Sequence, residues 1–399
     1  MKRRKIKRIL YLTPQLPYPP ISGGVKKSNR LVSYLSQHYE LGLMCFLKND
    51  DSKYEMEYKK SIPLIEYYSE PINKPRNAKN LVLSYVKKLP LNIYRNFSES
   101  FKQRVRNCID KYDAVFIDHY LMFQYIPKGF KGKIILHQHN AEYVMWQRLA
   151  VNELNWLKKI MITMEYRRIR TYEKQMCIEA DAILALPNDT EKLVGLGIES
   201  KKFYQTYHPG DTYLFEAPPM SFRQTKKSLL YIGTLTWEAN VDGLIWFLEK
   251  IWPDIKSANP EIRLSIVGKN PNKRLIELTK DDPSIVLVGF AEDLEKYYSS
   301  SRVFIAPLRF GSGIKVKVVN ALCRGIPTVT TSIGVEGLDL KHEKEVMVAD
   351  NPFDFAECVN RLMRDEKLWQ RIANKSRELM KEKYTWESVF ENVEKAIYG

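Results

Sequence analysis

The sequence predicts an α/β protein built from two doubly wound domains, and three observations carry that prediction. At 399 residues the chain is too long for one ordinary core, so two domains are expected. Short apolar runs bounded by turn residues alternate with helical stretches along the whole length, the pattern of a parallel sheet wrapped by helices. That pattern breaks between Tyr207 and Lys227, where His208-Pro209-Gly210, Pro218-Pro219 and a polar run read as a hinge or linker.

The first series opens with the run 6–12, followed by the loop 13–24 with four prolines and the pair Gly23-Gly24. A helical pattern carrying Leu31 and Leu35 leads into a strand at 41–46, and further strands are expected at 114–117, 133–136 and 180–186. The second series reads 229–232, 264–267, 285–288, 303–306 and 328–330. Its first three strands end in Gly233, Gly268 and Gly289, turns that let a ligand approach the backbone. Open α/β sheets bind ligands at that carboxyl end. The expected division is 1–212 as a first Rossmann-like domain, with a terminal helix 385–399 returning to it, then 213–227 as linker and 228–384 as a second Rossmann-like domain. The two are expected to face each other across a cleft.

Composition narrows the function classes. Hydrophobic residues make up 44% and charged residues 28%, a soluble globular profile, and no run of about twenty apolar residues is present to span a bilayer. The basic start Met1-Lys2-Arg3-Arg4-Lys5 is like that of a signal peptide. The apolar run behind it stops at Pro14 with no small-residue cleavage site, so a cytoplasmic location is expected. Cys45, Cys108, Cys177, Cys323 and Cys358 are scattered, with no CxxC pair, which argues against a disulfide framework and a zinc site.

The net charge of +16 suits an anionic partner: nucleic acid, an anionic lipid surface or a phosphorylated substrate. A basic, solvated surface is the bland alternative. The segment 152–179 carries Trp156, Leu157, Ile160, Met161 and Met164 on one helical face, with Lys158, Lys159, Arg167, Arg168 and Arg170 nearby. It reads either as a membrane-surface helix, giving peripheral contact with an anionic membrane, or as a helix packed on the first domain with its basic side solvated.

Two groups of residues carry chemistry. Arg309-Phe310-Gly311-Ser312-Gly313-Ile314-Lys315-Val316-Lys317 passes from a strand through a Gly-rich turn into a helix. Free backbone N–H groups and the positive end of a helix suit a diphosphate. Lys315 and Lys317 add charge, and two positions apart they do not share a helix face, so one is expected to reach the phosphates and the other to be solvated. On the other side, Asp118-His119 ends one strand and His137-Gln138-His139-Asn140-Ala141-Glu142 ends the next. His139 is the candidate chemical group here, since imidazole can hold a hydroxyl and titrates near neutrality. His137 is expected to pack against the sheet. A His137/His139 metal pair is rejected because alternate strand residues point to opposite faces.

The segment from Pro307 resembles the donor-site stretch of the retaining glycosyltransferases of family four, the group 1 glycosyltransferases, which have the two-domain GT-B fold. Pro307-Leu308, Gly311, Gly313, Lys315, Lys317, Ala321-Leu322, Gly325, Pro327, Val329 and Thr330 fall in register with it. Tyr231-Ile232-Gly233-Thr234 with Asn240, His208-Pro209-Gly210-Asp211 and Tyr384-Thr385-Trp386-Glu387 extend the resemblance. It implies a nucleotide-sugar donor held by Gly23, Gly24, Gly233, Thr234, Gly268, Phe290, Gly311, Ser312, Gly313, Lys315, Lys317 and Asn320. It further implies catalysis involving His139, Asp118 and Lys317, with no metal and no cofactor beyond the nucleotide sugar. The implied reaction is transfer of a hexose or related sugar to a lipid-linked or polysaccharide acceptor in cell-surface glycan synthesis, at the inner face of a membrane.

One departure stands out. Many relatives carry two glutamates with seven residues between them, where this chain has Ser312 and Asn320. Asn320 can hydrogen-bond a ribose hydroxyl but carries no charge. For that reason a GT-B-like protein that binds nucleotide or glycan without turnover remains the second reading. A dehydrogenase would need Gly-x-Gly-x-x-Gly after the first strand, where the Pro-rich loop stands. A nucleic-acid-binding protein would show zinc spacing, an aromatic ribonucleoprotein motif or a helix-turn-helix, and none is recognisable.

Overall fold

The computed structural model describes residues 6–20, 23–48, 50–311 and 313–399. The chain divides into two compact units, Met1–Thr206 with Phe390–Gly399, and Tyr207–Val389.

The N-terminal unit is a seven-stranded sheet of β1 (Arg8–Thr13), β2 (Glu40–Leu47), β3 (Glu66–Pro71), β4 (Ala114–Asp118), β5 (Lys133–His137), β6 (Ala182–Ala185) and β7 (Phe203–Gln205). Their order is β3-β2-β1-β4-β5-β6-β7, and every pairing is parallel. The central strands are continuous apolar runs because helices cover both faces, and Ile9 to Leu12 are fully buried. The edge strand β3 reads Glu-Tyr-Tyr-Ser-Glu-Pro and is half-buried, which is why its polar composition hides it in the sequence. Parallel pairing brings the carboxyl ends together: Leu12 lies opposite Ile117, and Asp118 opposite His137. Thr13, Lys48, Asp118 and His137 therefore stand at or just past one edge of one sheet.

The C-terminal unit repeats the design with six strands: β8 (Lys226–Ile232), β9 (Arg263–Val267), β10 (Ile285–Gly289), β11 (Ser301–Ala306), β12 (Thr328–Thr330) and β13 (Met347–Val348). Their order is β10-β9-β8-β11-β12-β13, again parallel throughout. The stretch 213–227, expected as a linker, contributes a short helix (Tyr213–Glu216) and puts Leu214 and Met220 into the core of this unit.

Three further features position the sites. The helix Val316–Arg324 is stopped by Gly325 at φ 80°, whose N–H returns to Ala321 O at 3.1 Å, a left-handed cap that an L side chain would strain. In the helix Trp386–Tyr398, the part from Phe390 onward belongs to the N-terminal unit. There Phe390 stacks on Tyr34 at 4.0 Å, Glu394 accepts hydrogen bonds from Tyr34 (3.1 Å) and Tyr39 (2.6 Å), and the Ile397 carbonyl accepts one from Lys133 (3.0 Å). Lastly, helices Glu142–Asn152 and Trp156–Glu179 form a hairpin. Among the described residues no helix is long and apolar enough to cross a membrane, and the five cysteines are free and buried.

Candidate functional sites, one in each unit

In the C-terminal unit the Gly-rich turn ends in two left-handed glycines, Gly311 (φ 136°) and Gly313 (φ 73°), before the helix starts at Val316. Ser312 lies outside the described residues. A Cβ on Gly311 would sit 3.7 Å from Lys315 and 3.8 Å from Trp237, so the turn closes against both side chains. Lys315 is 4% exposed and its ammonium donates to the Gly313 carbonyl. Lys317 is half-buried: its Nζ donates to Tyr231 Oη (2.9 Å) and Asn240 Oδ1 (2.6 Å) and stands 4.5 Å over the Tyr231 ring. Burial, helped by the neighbouring Lys315 charge, lowers the Lys317 pKa to about 7.

The expectation that one lysine would be solvated is therefore corrected. Lys315 precedes the first helical residue, so the helical alternation that was to separate the two side chains does not govern it, and both charges are withdrawn beside the same turn. Lys317, whose hydrogen-bond partners Tyr231 and Asn240 are both neutral, favours an anionic ligand beside it.

The other donor-side candidates of this unit follow the carboxyl ends of its strands or stand on the helix Val316–Arg324, whereas Gly23 and Gly24 belong to the N-terminal unit. A Cβ on Gly233 would meet Tyr231 Oη at 2.9 Å, so this glycine lies directly against the tyrosine that Lys317 contacts. The exposed Thr234 accepts from Asn240 through its backbone carbonyl at 2.9 Å. Gly268 is required by packing, because a Cβ there would fall 2.1 Å from the Gly233 carbonyl. Phe290, just past β10, is 60% exposed with Lys269 Nζ 3.9 Å over its ring. Asn320 engages Asp211 on both polar atoms, donating to its carboxylate at 2.8 Å and accepting from its N–H at 3.1 Å. Tyr231 and Trp237, which lie in the run 231–237 that extends the family resemblance, are further parts of this site.

In the N-terminal unit Asp118 is 1% exposed, and its Oδ1 receives both His137 Nδ1 (2.8 Å) and His139 Nε2 (2.7 Å) while Thr13 donates to Oδ2 (3.2 Å). Burial alone would raise the Asp118 pKa. Electrostatic interaction with His139 and the two histidine hydrogen bonds outweigh it and hold the carboxyl well below the usual carboxylate range. Burial, with the charges of Lys27 and His139, pushes His137 down to about 3, and burial together with His139 holds His119 well below its ordinary value. His137 is thus a neutral donor to an ionised Asp118.

The argument that set His137 and His139 on opposite faces fails here. β5 ends at His137, the alternation ends with it, and both rings turn onto one carboxylate oxygen with centroids 4.5 Å apart. The ligand atoms of Asp118, His137 and His139 lie within 4.8 Å of one another, close enough to hold a metal ion. Against that stands Lys27, 7% exposed and close enough for its charge to depress His137, which opposes a dication at the same place.

The helix Gly23–His38 begins at this cluster. A Cβ on Gly24 would come 3.8 Å from His139 Nδ1, so the glycine keeps that nitrogen accessible. Behind His139, the fully buried Glu173 accepts from the N–H groups of Glu142 (2.9 Å) and Tyr143 (2.8 Å) and from Gln138, fixing the turn that carries the imidazole. Lys27, Thr13 and Glu173 escaped the sequence reading because each lies inside an ordinary helix or strand with no motif around it.

Residues 226–365, within the C-terminal unit, match the family described as Glycosyl transferases group 1. An uncharacterised 44.6 kDa protein from the cps region of Klebsiella pneumoniae is 26% identical, covering 97% of this chain and 98% of its own. An uncharacterised glycosyltransferase of Methanocaldococcus jannaschii is 25% identical over 60% of this chain and 61% of its own. Among solved structures, Anabaena HepE in complex with UDP superposes with a TM-score of 0.64 at 12% identity, covering 98% of this chain and 99% of that one. Sucrose-phosphate synthase from Thermosynechococcus elongatus does so with 0.64 at 14% identity, covering 98% of each. The fold is GT-B.

Proposed function

We propose that this chain, with a group 1 glycosyltransferase domain on a GT-B fold, is a retaining, nucleotide-sugar-dependent transferase of the family-four type. The observation that carries the reading is the buried Lys315 and the half-buried Lys317 beside two left-handed glycines at a helix start. Backbone N–H groups, the helix dipole and two desolvated ammonium groups are what a departing diphosphate requires. Lysines and helix ends then do the work that a metal does elsewhere, and the reading needs no metal or other cofactor.

The acceptor belongs to the N-terminal unit in this reading. With His139 Nε2 committed to Asp118, its Nδ1 is the nitrogen left to receive a sugar hydroxyl, and Asp118 fixes the tautomer as in other carboxylate–imidazole pairs. His137 and Thr13 hold Asp118 in place from the sheet side. A hexose or related sugar is the transferred group, and a lipid-linked or polysaccharide glycan receives it in cell-surface glycan synthesis.

Incubating the purified chain with UDP-, GDP-, ADP- and TDP-sugars tests the assignment. One donor should release its nucleotide with retention at the anomeric carbon, and the matching diphosphate should raise the unfolding temperature. A protein that binds a nucleotide but turns over no donor would make the second reading correct. That alternative, binding without turnover, is favoured by one observation: Asn320, at the position of the ribose-binding glutamate, is engaged by Asp211.

The reaction runs at the inner face of a membrane in this reading, and the exposed surface of the hairpin supports the membrane contact. Leu149, Leu154, Trp156, Leu157, Ile160 and Met161 are all at least half exposed. Arg148, Lys158, Lys159, Arg167, Arg170 and Lys174 are exposed around them, whereas Glu165 and Glu173 are buried. Apolar stripe and cations together suit an anionic bilayer. The protein should float with phosphatidylglycerol vesicles, and Trp156→Ser with Ile160→Ser should abolish that flotation; equal flotation of variant and wild type removes the hairpin from the membrane.

A further inference from the structure

Past the carboxyl ends of β2 and β3 lies a cavity of ≈ 470 Å³ whose polar lining is Lys48, Asn73, Lys74, Arg95 and Asn96. No carboxylate lines it, and among the described residues none of the three cations forms an ion pair. Two of them have structural work. Lys74 Nζ donates to the Phe97 carbonyl and Arg95 Nε to the Lys74 carbonyl, each at 2.6 Å, which ties the two segments together and fixes both charges at the cavity wall. Lys48 has no such task, since its ammonium finds no hydrogen-bond acceptor among the described residues. Burial and the Arg95 charge push its pKa down to about 8. Asp51, whose carboxylate accepts from the Lys48 N–H at 2.9 Å, answers the Lys48 charge only in part, and three cations at one cavity wall suit an anionic ligand. The cavity lies on the same sheet edge as Asp118, and the Lys48 charge is felt by His119.

We propose that this cavity, through Lys48 and Arg95, binds an oxyanion carried by the acceptor, while the hydroxyl to be glycosylated is held at His139. The inference rests on the acceptor-side reading above. It makes the acceptor acidic: a phosphate of a lipid carrier or the carboxylate of an acidic sugar, both recognised by the same charge-assisted hydrogen bonds.

The full chain is first saturated with UDP, to fill the donor site, and then titrated by calorimetry with pyrophosphate, with methyl glucuronide and with methyl glucoside. One anion should bind and the neutral glycoside should not; which anion binds identifies the source. The double variant Lys48→Gln/Arg95→Gln should bind that anion about 10–100-fold more weakly, as expected for two charge-assisted contacts, with UDP affinity unchanged. Failure of both anions to bind, or equal binding by the double variant, overturns the proposal. If UDP does not bind, GDP, ADP or TDP takes its place; if none of the four binds, the donor reading fails instead, and the same titration without nucleotide, run on wild type and double variant, still decides the cavity. Lys48→Met should leave the unfolding midpoint unchanged or higher; a clear fall would make Lys48 a structural residue and refute its role as a ligand group.

Discussion

Replacing Lys317 with alanine should lower the transfer rate about 10²–10³-fold, the usual consequence of deleting one preorganised donor aimed at developing negative charge. The lysine sits at the centre of the C-terminal site, and no other cation occupies its place between Tyr231 and Asn240. Folding should change little. Two neutral groups lose a partner at roughly 1 kcal/mol each, and relief of the crowding with Lys315 offsets part of that. The pH profile gives a second check. With a pKa near 7 in the free protein, Lys317 loses its proton as pH rises through neutrality. The donor kcat/KM should therefore fall above about pH 7 in the wild type and lose that limb in the variant. Initial rates at several pH values decide the matter, and a rate loss below about threefold would remove Lys317 from leaving-group stabilisation.

The second large effect is on stability. Asp118→Ala should destabilise the N-terminal unit by about 3–5 kcal/mol, the range seen when one member of a buried charged cluster is removed. Lys27 would lose the counter-charge of Asp118, His137 would be left with an unanswered donor in the dry end of the sheet, and Thr13 would keep only the Gln15 carbonyl at 3.3 Å. The sign with pH follows from the direction of the shift. The Asp118 carboxyl is held below its ordinary value, so its contribution is complete above the normal carboxylate pKa. It disappears as pH falls through the folded-state value. Urea unfolding at pH 7 measures the loss, and a cost under 1 kcal/mol would show that the cluster does not hold the sheet edge together.

Much of the architecture was legible because the central strands are apolar runs that end in recognisable turns. The runs read at 114–117 and 133–136 lie within β4 and β5, and those at 229–232 and 264–267 lie within β8 and β9. β3 was not legible, since an edge strand with one wet side reads as polar loop, and the two-residue β13 gives no periodicity to detect. At the C-terminal site the glycine–lysine segment was readable as one contiguous stretch, but the partners Tyr231 and Asn240 come to Lys317 across the sheet. The error at His137 and His139 came from extending strand alternation one residue pair past the end of β5. Lys48, Lys74 and Arg95 follow three different elements; the parallel packing of β2 against β3 brings the first two together, and the hydrogen bond from Arg95 to the Lys74 carbonyl adds the third.

The chain order of the first unit has a consequence for biogenesis. Its sheet is complete at Gln205, yet the surface around Tyr34 and Tyr39 waits for Phe390 and Glu394. At ordinary synthesis rates those residues leave the ribosome roughly 10–40 s after Thr206. During that interval the nascent unit carries an uncovered aromatic seam, and a premature stop anywhere before residue 390 would leave the seam bare for good. Such truncated chains should be substrates for chaperones and proteases even though every strand of the first sheet is present.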